Sequence, residues 1–320
     1  MQKIAVLTSG GDAPGMNAAV RAVVRKAIYH GLEVVGIKRG YTGFVEGDMA
    51  PMDRSSVADI IQRGGTVLRT SRCEEFRTEL GRAQAFANVE RYGLQGLVVI
   101  GGDGSFRGAK LFAEEYQLPV IAIPGTIDND INGTDYSIGF DTAVNTAVDA
   151  IDKIRDTATS HERTFVVEVM GRDSGFIALS AGLAGGAETV VIPEYPVDVA
   201  AVCKKVVKGF KQGKLHSIIV AAEGAIRGIE LAKQIKAQTG FECKPTILGH
   251  LLRGGSPTAF DRDLASRMGA KAVELLLSQV SCQMVASVKG DIVGIDFDEA
   301  ITAKKPVDLE LYRLIDILAI

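Results

Sequence analysis

The chain has 320 residues, of which 47% are hydrophobic and 23% are charged, a composition typical of globular proteins. A formal net charge of −3 gives no reason to expect nucleic acid or an anionic membrane as a partner. The length exceeds the usual size of a single hydrophobic core, so we expect two lobes.

The four cysteines are widely spaced and include no CxxC pair; they are Cys73, Cys203, Cys243 and Cys282. This pattern favours a reducing compartment and argues against a disulfide framework or a structural zinc site. The N-terminal residues lead into a strand-like Ile4–Leu7 without a cleavable signal pattern, and no apolar run approaches membrane-spanning length. We therefore expect a cytoplasmic protein.

Short apolar segments alternate with amphipathic ones, which predicts strands alternating with helices around a mainly parallel sheet. The predicted strands are residues 4–7, 34–37, 97–100, 120–123, 165–169, 189–192 and 218–222. One helix is predicted over Met16–His30 and ends at Gly31, a favourable residue after a helix. A second long helix is predicted to be capped by Asp141 and to open the second lobe, and a third, over residues 261–277, returns to the first lobe.

A glycine-rich loop, GGDAPG at residues 10–15, follows the first predicted strand. It fits either a phosphate site or an ordinary tight turn between strand and helix. On the helix behind it, Arg21 and Arg25 share one face because they are four residues apart. That face is either a solvated surface or a second anion site that points away from the loop.

The segment Gly101-Gly102-Asp103-Gly104-Ser105 directly follows the apolar run 97–100. Loops at the carboxyl ends of parallel strands form the ligand crevice of an open α/β sheet. Asp103 is suited to Mg²⁺, while the glycine amides and the Ser105 hydroxyl are suited to phosphate oxygens. The alternative is an aspartate in a solvated turn.

The segment Thr126-Ile127-Asp128-Asn129-Asp130 follows the apolar run 120–123 in the same way. Asp128 and Asp130 alternate along an extended loop and can face the same crevice. One carboxylate can accept a proton from an attacking hydroxyl while the other orients neighbouring groups. Together with the preceding loop this indicates phosphoryl transfer, whereas an Asx-turn would need only one such residue.

Candidate cations for a substrate phosphate lie near predicted strand ends, although each alone fits a surface ion pair. Arg163 precedes a strand, Arg172 follows the same strand within Met170-Gly171-Arg172, and His250 and Arg253 follow a short apolar run. Arginine is well suited to bidentate capture of phosphate. Glu223, at the end of another strand, is suited to hydrogen bonds from sugar hydroxyls or to the start of a helix.

Six motifs, in this order, resemble those of bacterial ATP-dependent 6-phosphofructokinases: LTSGGDAPGMNAA, GGDGS, PGTIDNDI, TSHERT, MGRDSG and GHLLRGGSPTAFDR. The resemblance extends from residue 1 to about residue 277 and continues more weakly to the end. GGDG alone also occurs in NAD kinases and lipid kinases, whereas PGTIDND and the ordered set of six are specific to this family.

The resemblance implies an α/β fold of two Rossmann-like, three-layer lobes with mainly parallel central sheets and an active site in the cleft between them. Residues 1–139 and 252–302 would form the ATP-binding lobe, and residues 140–251 and 303–320 the sugar-phosphate-binding lobe. The implied reaction is glycolytic: the γ-phosphoryl group of ATP passes to the 1-hydroxyl of D-fructose 6-phosphate, giving fructose 1,6-bisphosphate and ADP. The family resemblance also implies a homotetramer under allosteric control.

The resemblance further implies that Asp128 accepts the proton, that Thr126 and Arg172 stabilise the transferring phosphoryl group, and that Asp103 serves Mg²⁺. The implied ATP-site residues are Gly11, Arg72, Cys73, Gly102, Asp103, Gly104 and Ser105. The implied sugar-phosphate residues are Thr126, Ile127, Asp128, Met170, Gly171, Arg172, Glu223, His250 and Arg253. Arg163 and Lys244 would reach in from a neighbouring subunit.

A second anion site for ADP or phosphoenolpyruvate is also implied, by the counterparts Arg21, Arg25, Arg54, Asp59, Arg155, Gly186, Glu188, Gln212, Lys214 and His216. The chain departs from the family twice. Lys244 stands where the family usually has arginine, so a bidentate fork becomes a point charge. Gln212 stands where an arginine commonly joins the effector site, so one phosphate contact is expected to be missing.

A pyrophosphate-dependent phosphofructokinase is the nearest alternative. Those relatives typically carry aspartate and lysine where this chain has Gly104 and Gly125, so ATP is the expected phosphoryl donor. A catalytically inactive homologue that keeps the effector site is a second alternative, which the intact acidic residues and Arg172 disfavour. A dinucleotide oxidoreductase is a third, and the absence of GxGxxG after Leu7 argues against it.

Overall fold

The computed structural model describes residues 1–319. The first elements in chain order are β1 (Lys3–Thr8), α1 (Met16–Tyr29), β2 (Glu33–Ile37), α2 (Tyr41–Glu46), β3 (Met49–Met52), α3 (Glu79–Tyr92), β4 (Leu97–Gly101), α4 (Asp103–Tyr116) and β5 (Val120–Pro124). They are followed by α5 (Phe140–His161), β6 (Thr164–Val169), α6 (Phe176–Ala184), β7 (Thr189–Val191), α7 (Val199–Lys211), β8 (Ser217–Ala222), α8 (Gly228–Thr239) and β9 (Cys243–Ile247). The last elements are α9 (Ala259–Leu277), β10 (Gln283–Val288), β11 (Asp291–Asp296), α10 (Phe297–Thr302) and α11 (Leu309–Leu318).

The chain forms two compact units. Unit 1 comprises Met1–Ile127, Ile131–Asp141 and Arg253–Lys305. Unit 2 comprises Asp128–Asp130, Thr142–Leu252 and the described part of Pro306–Ile320. The assignment of one lobe to ATP and the other to the sugar phosphate stays a prediction.

Unit 1 is built on a sheet with the strand order β11-β10-β5-β4-β1-β2-β3. The strands from β10 to β2 are parallel, and the two edge strands β11 and β3 are antiparallel to their neighbours. β4 and β5 are buried along their whole length, as expected for central parallel strands covered on both faces. Because β1, β4 and β5 are adjacent and parallel, the loops after them start at one edge of the sheet.

Unit 2 is built on a parallel sheet with the order β7-β8-β6-β9. Its carboxyl edge carries the turn Met170–Gly171–Arg172 after β6 and Glu223 after β8. The predicted α/β fold with mainly parallel sheets is therefore confirmed. Within residues 1–319, no helix combines the length and apolar character needed to cross a bilayer.

Four strands were missed by the sequence prediction: β3, β9, β10 and β11. β3 contains Pro51 and β9 contains Pro245, and both strands lie at sheet edges where a missing N–H is tolerated. β9 exposes Lys244, Pro245 and Ile247, so it lacks the apolar run by which the buried strands are recognised.

The predicted cap at Asp141 is wrong. Helix α5 begins at Phe140, so Asp141 lies in its first turn. There Asp141 Oδ2 accepts a hydrogen bond of 2.6 Å from the Thr258 hydroxyl, and Thr258 in turn caps α9 by accepting from the backbone N–H of Asp261. The carboxylate therefore joins the start of α5 to the start of α9.

Candidate active site

In unit 1, the loops after β1 and β4 pack backbone against backbone. The Ser9 N–H donates to the Ile100 carbonyl at 2.9 Å, which brings the first glycine-rich loop against the end of β4. A Cβ atom at Gly101 would lie 2.6 Å from the Ser9 carbonyl oxygen. The fold itself therefore requires glycine at position 101, apart from any ligand.

The Arg253 guanidinium packs against the first glycine-rich loop, residues 10–15. Its Nη1 atom donates to the Asp12 carbonyl at 3.1 Å and would stand 2.4 Å from a Cβ atom at Gly11. Gly11 was predicted for the ATP site and Arg253 for the sugar phosphate, and the structure brings these two residues together within unit 1. A side chain at position 11 would therefore displace the guanidinium, which is the flexible end of the Arg253 side chain.

The Gly102–Ser105 segment forms the beginning of α4. Gly102 precedes the helix in an extended conformation, and Asp103 lies in the first turn. The free N–H groups at such a helix start attract anions, in agreement with a phosphate role for this loop. A Cβ atom at Gly104 would meet no protein atom within 4 Å, so the space beside it is open.

Tyr41, which the sequence analysis did not select, holds this helix start in place. Its phenol donates to the Ser105 carbonyl at 2.5 Å, and its ring stacks on Phe76 with centroids 4.0 Å apart. Burial raises the pKa of the phenol, so the hydroxyl remains protonated and able to donate. An aromatic residue just after a glycine at position 40 offered no sequence signal for this role.

Asp103 makes an ion pair with Arg107, one helical turn later. The Arg107 Nε atom lies 3.1 Å from Asp103 Oδ1, and both side chains are about half exposed. Among the described residues, no group of three or more Asp, Glu, His or Cys side chains is arranged to hold a metal ion. A single accessible carboxylate fits Mg²⁺ that arrives with nucleotide phosphates, because Mg²⁺ commonly takes one or two carboxylates together with phosphate and water.

Arg72 and Cys73 lie on the loop between β3 and α3. The Arg72 side chain is exposed, and its carbonyl accepts a long hydrogen bond of 3.4 Å from the Thr42 hydroxyl. Cys73 packs against the hydrophobic core of unit 1 and is partly buried. Neither position is in a sequence motif that physical reasoning alone would have selected.

After β5, Thr126 and Ile127 are buried. The Ser137 hydroxyl donates to the Thr126 carbonyl at 2.7 Å, which fixes the backbone of the loop at that point. In unit 2, Asp128 and Asn129 are buried and Asp130 is half-buried, so the acidic segment does not form an exposed turn.

The centre of the candidate site in unit 2 is the pair formed by Asp128 and Arg172. The Arg172 Nε atom lies 3.6 Å from Asp128 Oδ2. The Asp128 side chain is 3% exposed, whereas the Arg172 side chain is 64% exposed. A buried carboxylate next to an accessible guanidinium can accept a proton while the cation meets a negatively charged substrate.

The turn that carries Arg172 is held from two sides. The Arg172 N–H donates to Glu223 Oε1 at 3.0 Å. The Glu223 carboxylate, which the sequence analysis assigns to the sugar, therefore binds the protein backbone here. A Cβ atom at Gly224 would stand 1.9 Å from the Arg172 carbonyl oxygen. Glycine at position 224, which the sequence analysis missed, therefore allows the turns after β6 and β8 to approach each other.

Arg163 and Lys244 lie at the opposite edge of the unit 2 sheet from Arg172. Arg163 directly precedes β6, and Lys244 is in register with Phe165 near the start of that strand. Arg172 follows the other end of β6, which is about 16–20 Å away at ~3.3 Å per residue. Within one chain, these two cations and Arg172 therefore do not converge.

Met170 and His250 both lie at the carboxyl edge of the same sheet. Met170 is buried directly after β6. His250 is exposed in a short 3₁₀ turn over Gly249–Arg253 that follows β9. Lys244, in contrast, contacts Glu242 at 3.6 Å, and the pKa of the Glu242 carboxyl is lowered, mainly by its hydrogen bond to Lys236 and also by Lys244.

The predicted effector residues fall into both units. In unit 1, Arg21 on α1 is half-buried, while Arg25, Arg54 and Asp59 are exposed. In unit 2, Arg155 donates to the Gly186 carbonyl at 2.9 Å.

A cavity of about 150 Å³ in unit 2 is lined by four of the predicted effector residues, Glu188, Gln212, Lys214 and His216. Lys205 and Lys208 of α7 line the same cavity, so cations surround it although position 212 is glutamine.

The chain is similar to known proteins in both sequence and structure. The model of the family described as "Phosphofructokinase" matches residues 3–276, which cover the glycine-rich loops, Asp128 and Arg172. The chain belongs to the phosphofructokinase family.

Two relatives of this phosphofructokinase chain are similar over the full length of both sequences. One, from Halothermothrix orenii, is 59% identical, and another, from Thermoanaerobacter sp. (strain X514), is 57% identical; both are named "ATP-dependent 6-phosphofructokinase". The solved structure of phosphofructokinase from Saccharomyces cerevisiae matches with a TM-score of 0.92 and 35% identity. It covers 98% of this chain, which in turn spans 50% of the yeast chain. These matches confirm the family that the six motifs indicate.

Proposed function

We propose that this protein transfers the γ-phosphoryl group of ATP to the 1-hydroxyl of D-fructose 6-phosphate, giving fructose 1,6-bisphosphate and ADP in glycolysis. The observation that carries the chemistry is the pairing of the buried Asp128 with the accessible Arg172 in a phosphofructokinase chain. Full-length relatives that are 57–59% identical and bear the name of this activity support the same substrates.

In this reaction Asp128 accepts the proton of the sugar 1-hydroxyl as that oxygen attacks the γ-phosphorus. The Arg172 guanidinium lies 3.6 Å from the carboxylate, so its positive charge stands beside the place where the proton is accepted. Positioned general-base assistance contributes roughly 10²–10⁴ in rate. Arg172 and Thr126 then stabilise the charge on the transferring phosphoryl group, which is the main requirement of this chemistry.

Gly104 supports ATP over pyrophosphate as the donor. Glycine inside a helix costs about 0.8–1.0 kcal/mol relative to alanine, and here no neighbouring protein atom requires it. A nucleotide phosphate could use this open space, whereas the aspartate typical of pyrophosphate-dependent relatives would fill it and repel the phosphate. Gly125, in contrast, is tightly packed, since its Cβ atom would lie 3.0 Å from Ile100 Cγ2, so a lysine there would need a different local packing.

Mg²⁺ is proposed to bind with ATP, with Asp103 as its protein ligand. When bound, the ion would neutralise charge on the phosphates. For this carboxylate to contact the ion directly, the ion pair with Arg107 must loosen. Because both side chains are about half exposed, that rearrangement is inexpensive.

The active protein is proposed to be a homotetramer. Arg163 and Lys244 lie one strand length from Arg172 within their own chain, which supports their predicted contribution to the sugar-phosphate site of a neighbouring subunit. Of the other sugar-phosphate residues, Met170, Glu223 and His250 share the carboxyl edge of the unit 2 sheet with Arg172. We further propose that the enzyme acts in the cytoplasm.

ADP and phosphoenolpyruvate are proposed as effectors. The cluster of Glu188, Lys214 and His216 around one cavity supports an anion site in unit 2. Glu188 accepts from the Ile218 N–H at 2.6 Å and lies 4.0 Å from the Lys214 ammonium, so the carboxylate is held in place beside the cation.

A coupled assay tests the proposed reaction. Purified protein is given fructose 6-phosphate with Mg-ATP or with Mg-pyrophosphate, and formation of fructose 1,6-bisphosphate is followed. We expect turnover with ATP and a negligible rate with pyrophosphate. Equal rates with the two donors would identify a pyrophosphate-dependent enzyme, and no turnover with either, combined with ADP binding, would identify an inactive effector-binding homologue.

A further inference from the structure

Ser174 connects the two segments that carry the proposed catalytic pair. It is a buried residue between Arg172 and helix α6. Its hydroxyl lies 2.9 Å from the Gly171 carbonyl oxygen and 3.2 Å from the Asp128 carbonyl oxygen. One hydroxyl hydrogen therefore faces an acceptor on each segment, and it is the backbone of Asp128, not its carboxylate, that is contacted.

The turn held by Ser174 has an unusual backbone. Arg172 has a φ angle of +51°, which residues with a side chain rarely adopt, and Gly171 has a φ angle of +142°. The Ser174 N–H donates to the Gly171 carbonyl at 2.9 Å, which closes the turn. Such conformations persist only where the surroundings hold them, and they concentrate at functional sites.

We infer that Ser174 is a positioning residue that sets the separation of Asp128 and Arg172. This inference rests on the proposed function, because it gives the pair its role. The serine touches neither substrate nor reacting atoms in our scheme. Loss of its hydroxyl removes the direct tether between the turn and the Asp128 backbone, so the guanidinium takes up a wider range of positions.

The test compares Ser174→Ala with a matched control, Ser180→Ala, on the helix that follows. We expect Ser174→Ala to lower kcat about tenfold, since small misplacements of catalytic groups cost up to 10²-fold. The KM for ATP should stay within about twofold, because ground-state binding is not affected. The control variant should match the unmodified enzyme in both constants.

A double-mutant cycle separates positioning from a purely structural role. If Ser174 acts through Arg172, Ser174→Ala should change kcat less than twofold in an Arg172→Ala background. An equal loss of kcat in both backgrounds, or an unchanged kcat in the single variant, would overturn the inference. Absence of turnover in the unmodified protein would instead contradict the proposed function, so the two failures are distinguishable.

An independent observation concerns the last helix, α11, which is held to unit 2 by few contacts. Among its described residues, Ile315 alone is buried. Tyr312 stacks on Tyr195 with centroids 4.9 Å apart, and Asp316 pairs with Lys205 at 2.5 Å. Segments with few buried contacts open at low free-energy cost, so α11 is a candidate for local detachment.

The C-terminal end of α11 borders the cavity of unit 2 that Glu188, Gln212, Lys214 and His216 line. Lys214 Nζ donates to the Ala319 carbonyl oxygen at 2.6 Å, and both Asp316 and Ala319 line the cavity together with Glu188 and Gln212. Two of the cations that surround the cavity, Lys205 and Lys214, are thus engaged by the chain's own oxygen atoms. The remaining volume of about 150 Å³ is smaller than the ~300–1,000 Å³ of typical small-molecule pockets.

We propose that α11 is a detachable cover that competes with a nucleoside diphosphate for Lys214. The proposal rests on the proposed effector site and adds an internal competitor to it. A ligand that binds only when the cover is displaced has its apparent affinity reduced by the fraction of molecules that are uncovered. Loosening α11 should therefore tighten binding of the ligand.

The test loosens the helix without changing charge. Ile315→Ala removes the buried anchor, and Leu314→Ala removes a neighbouring, partly exposed leucine of the same helix as the matched control. ADP binding is measured by calorimetry with a saturating, non-transferable ATP analogue that fills the ATP site. We expect ADP to bind at least about fivefold more tightly to Ile315→Ala than to the unmodified protein or to Leu314→Ala.

Hydrogen exchange of the α11 amides gives a second measurement on the unmodified chain. ADP should accelerate their exchange, because the bound state displaces the cover. Equal ADP affinities in the three proteins, no ADP binding in any of them, or slower exchange of α11 with ADP would each overturn the proposal. Kinase activity at saturating substrates reports separately on the proposed function. If Ile315→Ala does not fold, Tyr312→Ala replaces it.

Discussion

The phenol of Tyr41 and the carbonyl of Ser105 are joined by a hydrogen bond of 2.5 Å, although the two residues are 64 positions apart. The bond ties the short helix α2 to the first turn of α4, where the N–H groups face the proposed ATP phosphates. The ring of Tyr41 stacks on Phe76, so the hydroxyl is held in one orientation.

Tyr41→Phe should lower the free energy of unfolding by roughly 0.5–1.5 kcal/mol, because it removes one buried hydrogen bond and keeps the ring. The KM for ATP should rise because the start of α4 is less firmly held. Urea unfolding and steady-state kinetics measure the two effects. Tyr92→Phe is the control, since its hydroxyl makes only a 3.4 Å bond to the Gly47 carbonyl.

The Tyr41 effect should also depend on pH. Burial raises the pKa of the phenol above its ordinary value of about 10. Above that pH the unfolded chain ionises while the folded chain does not, so the stability that Tyr41 contributes is complete below pH ~10 and is lost as pH rises. The stability difference between the unmodified protein and Tyr41→Phe should therefore shrink above pH ~10. A difference that grows with pH would contradict this assignment.

Asp128→Asn should lower kcat by at least roughly 10², because the amide keeps the shape and removes the proton acceptor. ATP binding should remain nearly intact, since the base acts mainly in the transition state. Asp149→Asn, which removes an exposed carboxylate of α5, serves as the matched control. A kcat within a few-fold of the unmodified enzyme would show that Asp128 is not the base.

Gly104→Ala should weaken ATP binding without lowering the stability of the fold. A Cβ atom at this position meets no protein atom, so the variant should be as stable as the unmodified protein or more stable by up to ~1 kcal/mol. The KM for ATP should nevertheless rise, because the methyl group occupies the proposed phosphate approach. Gly108→Ala, in the same helix, tests whether any alanine in α4 has that effect. An unchanged KM for ATP in Gly104→Ala would count against the assigned approach.

Lys244→Arg should lower the KM for fructose 6-phosphate several-fold, on the order of 1 kcal/mol, if a second hydrogen bond to the phosphate forms. Lys236→Arg is the control, because Lys236 also pairs with Glu242 but lies on α8. Sedimentation should accompany the kinetics, since the contact is proposed to cross to a neighbouring subunit. An unchanged KM in a tetrameric variant would mean that position 244 does not distinguish the two cations.

Gln212→Arg should tighten inhibition by phosphoenolpyruvate at sub-saturating fructose 6-phosphate. A charge-assisted hydrogen bond contributes roughly 1.5–3 kcal/mol, about ten- to a hundred-fold in affinity. The kcat at saturating substrate should not change. Gln84→Arg adds the same charge on α3 of unit 1, at a position that does not line this cavity, and should have little effect. If the unmodified enzyme is already inhibited at the same concentration as the variant, the cavity cations Lys205 and Lys208 compensate and the expectation for Gln212 is wrong.

Much of the architecture was determined by the sequence alone. The apolar runs 97–100 and 120–123 are buried central strands because a parallel sheet covered on both faces leaves no polar positions. The glycine-framed acidic loops follow those strands, and their composition and order were enough to indicate phosphoryl transfer and the family. Edge strands such as β9 were not recognised, because most of the side chains of β9 are exposed and the strand lacks a continuous apolar run.

Only the tertiary structure decided which distant residues meet. Arg253 lies on Gly11, and Tyr41 donates to Ser105, because strand order brings loops together that no spacing rule connects. Arg163 and Arg172 look equivalent as loop arginines, yet the length of β6 places them at opposite edges of the sheet. Local patterns specify secondary structure and chemistry, whereas contacts between segments far apart in sequence depend on sheet topology and packing.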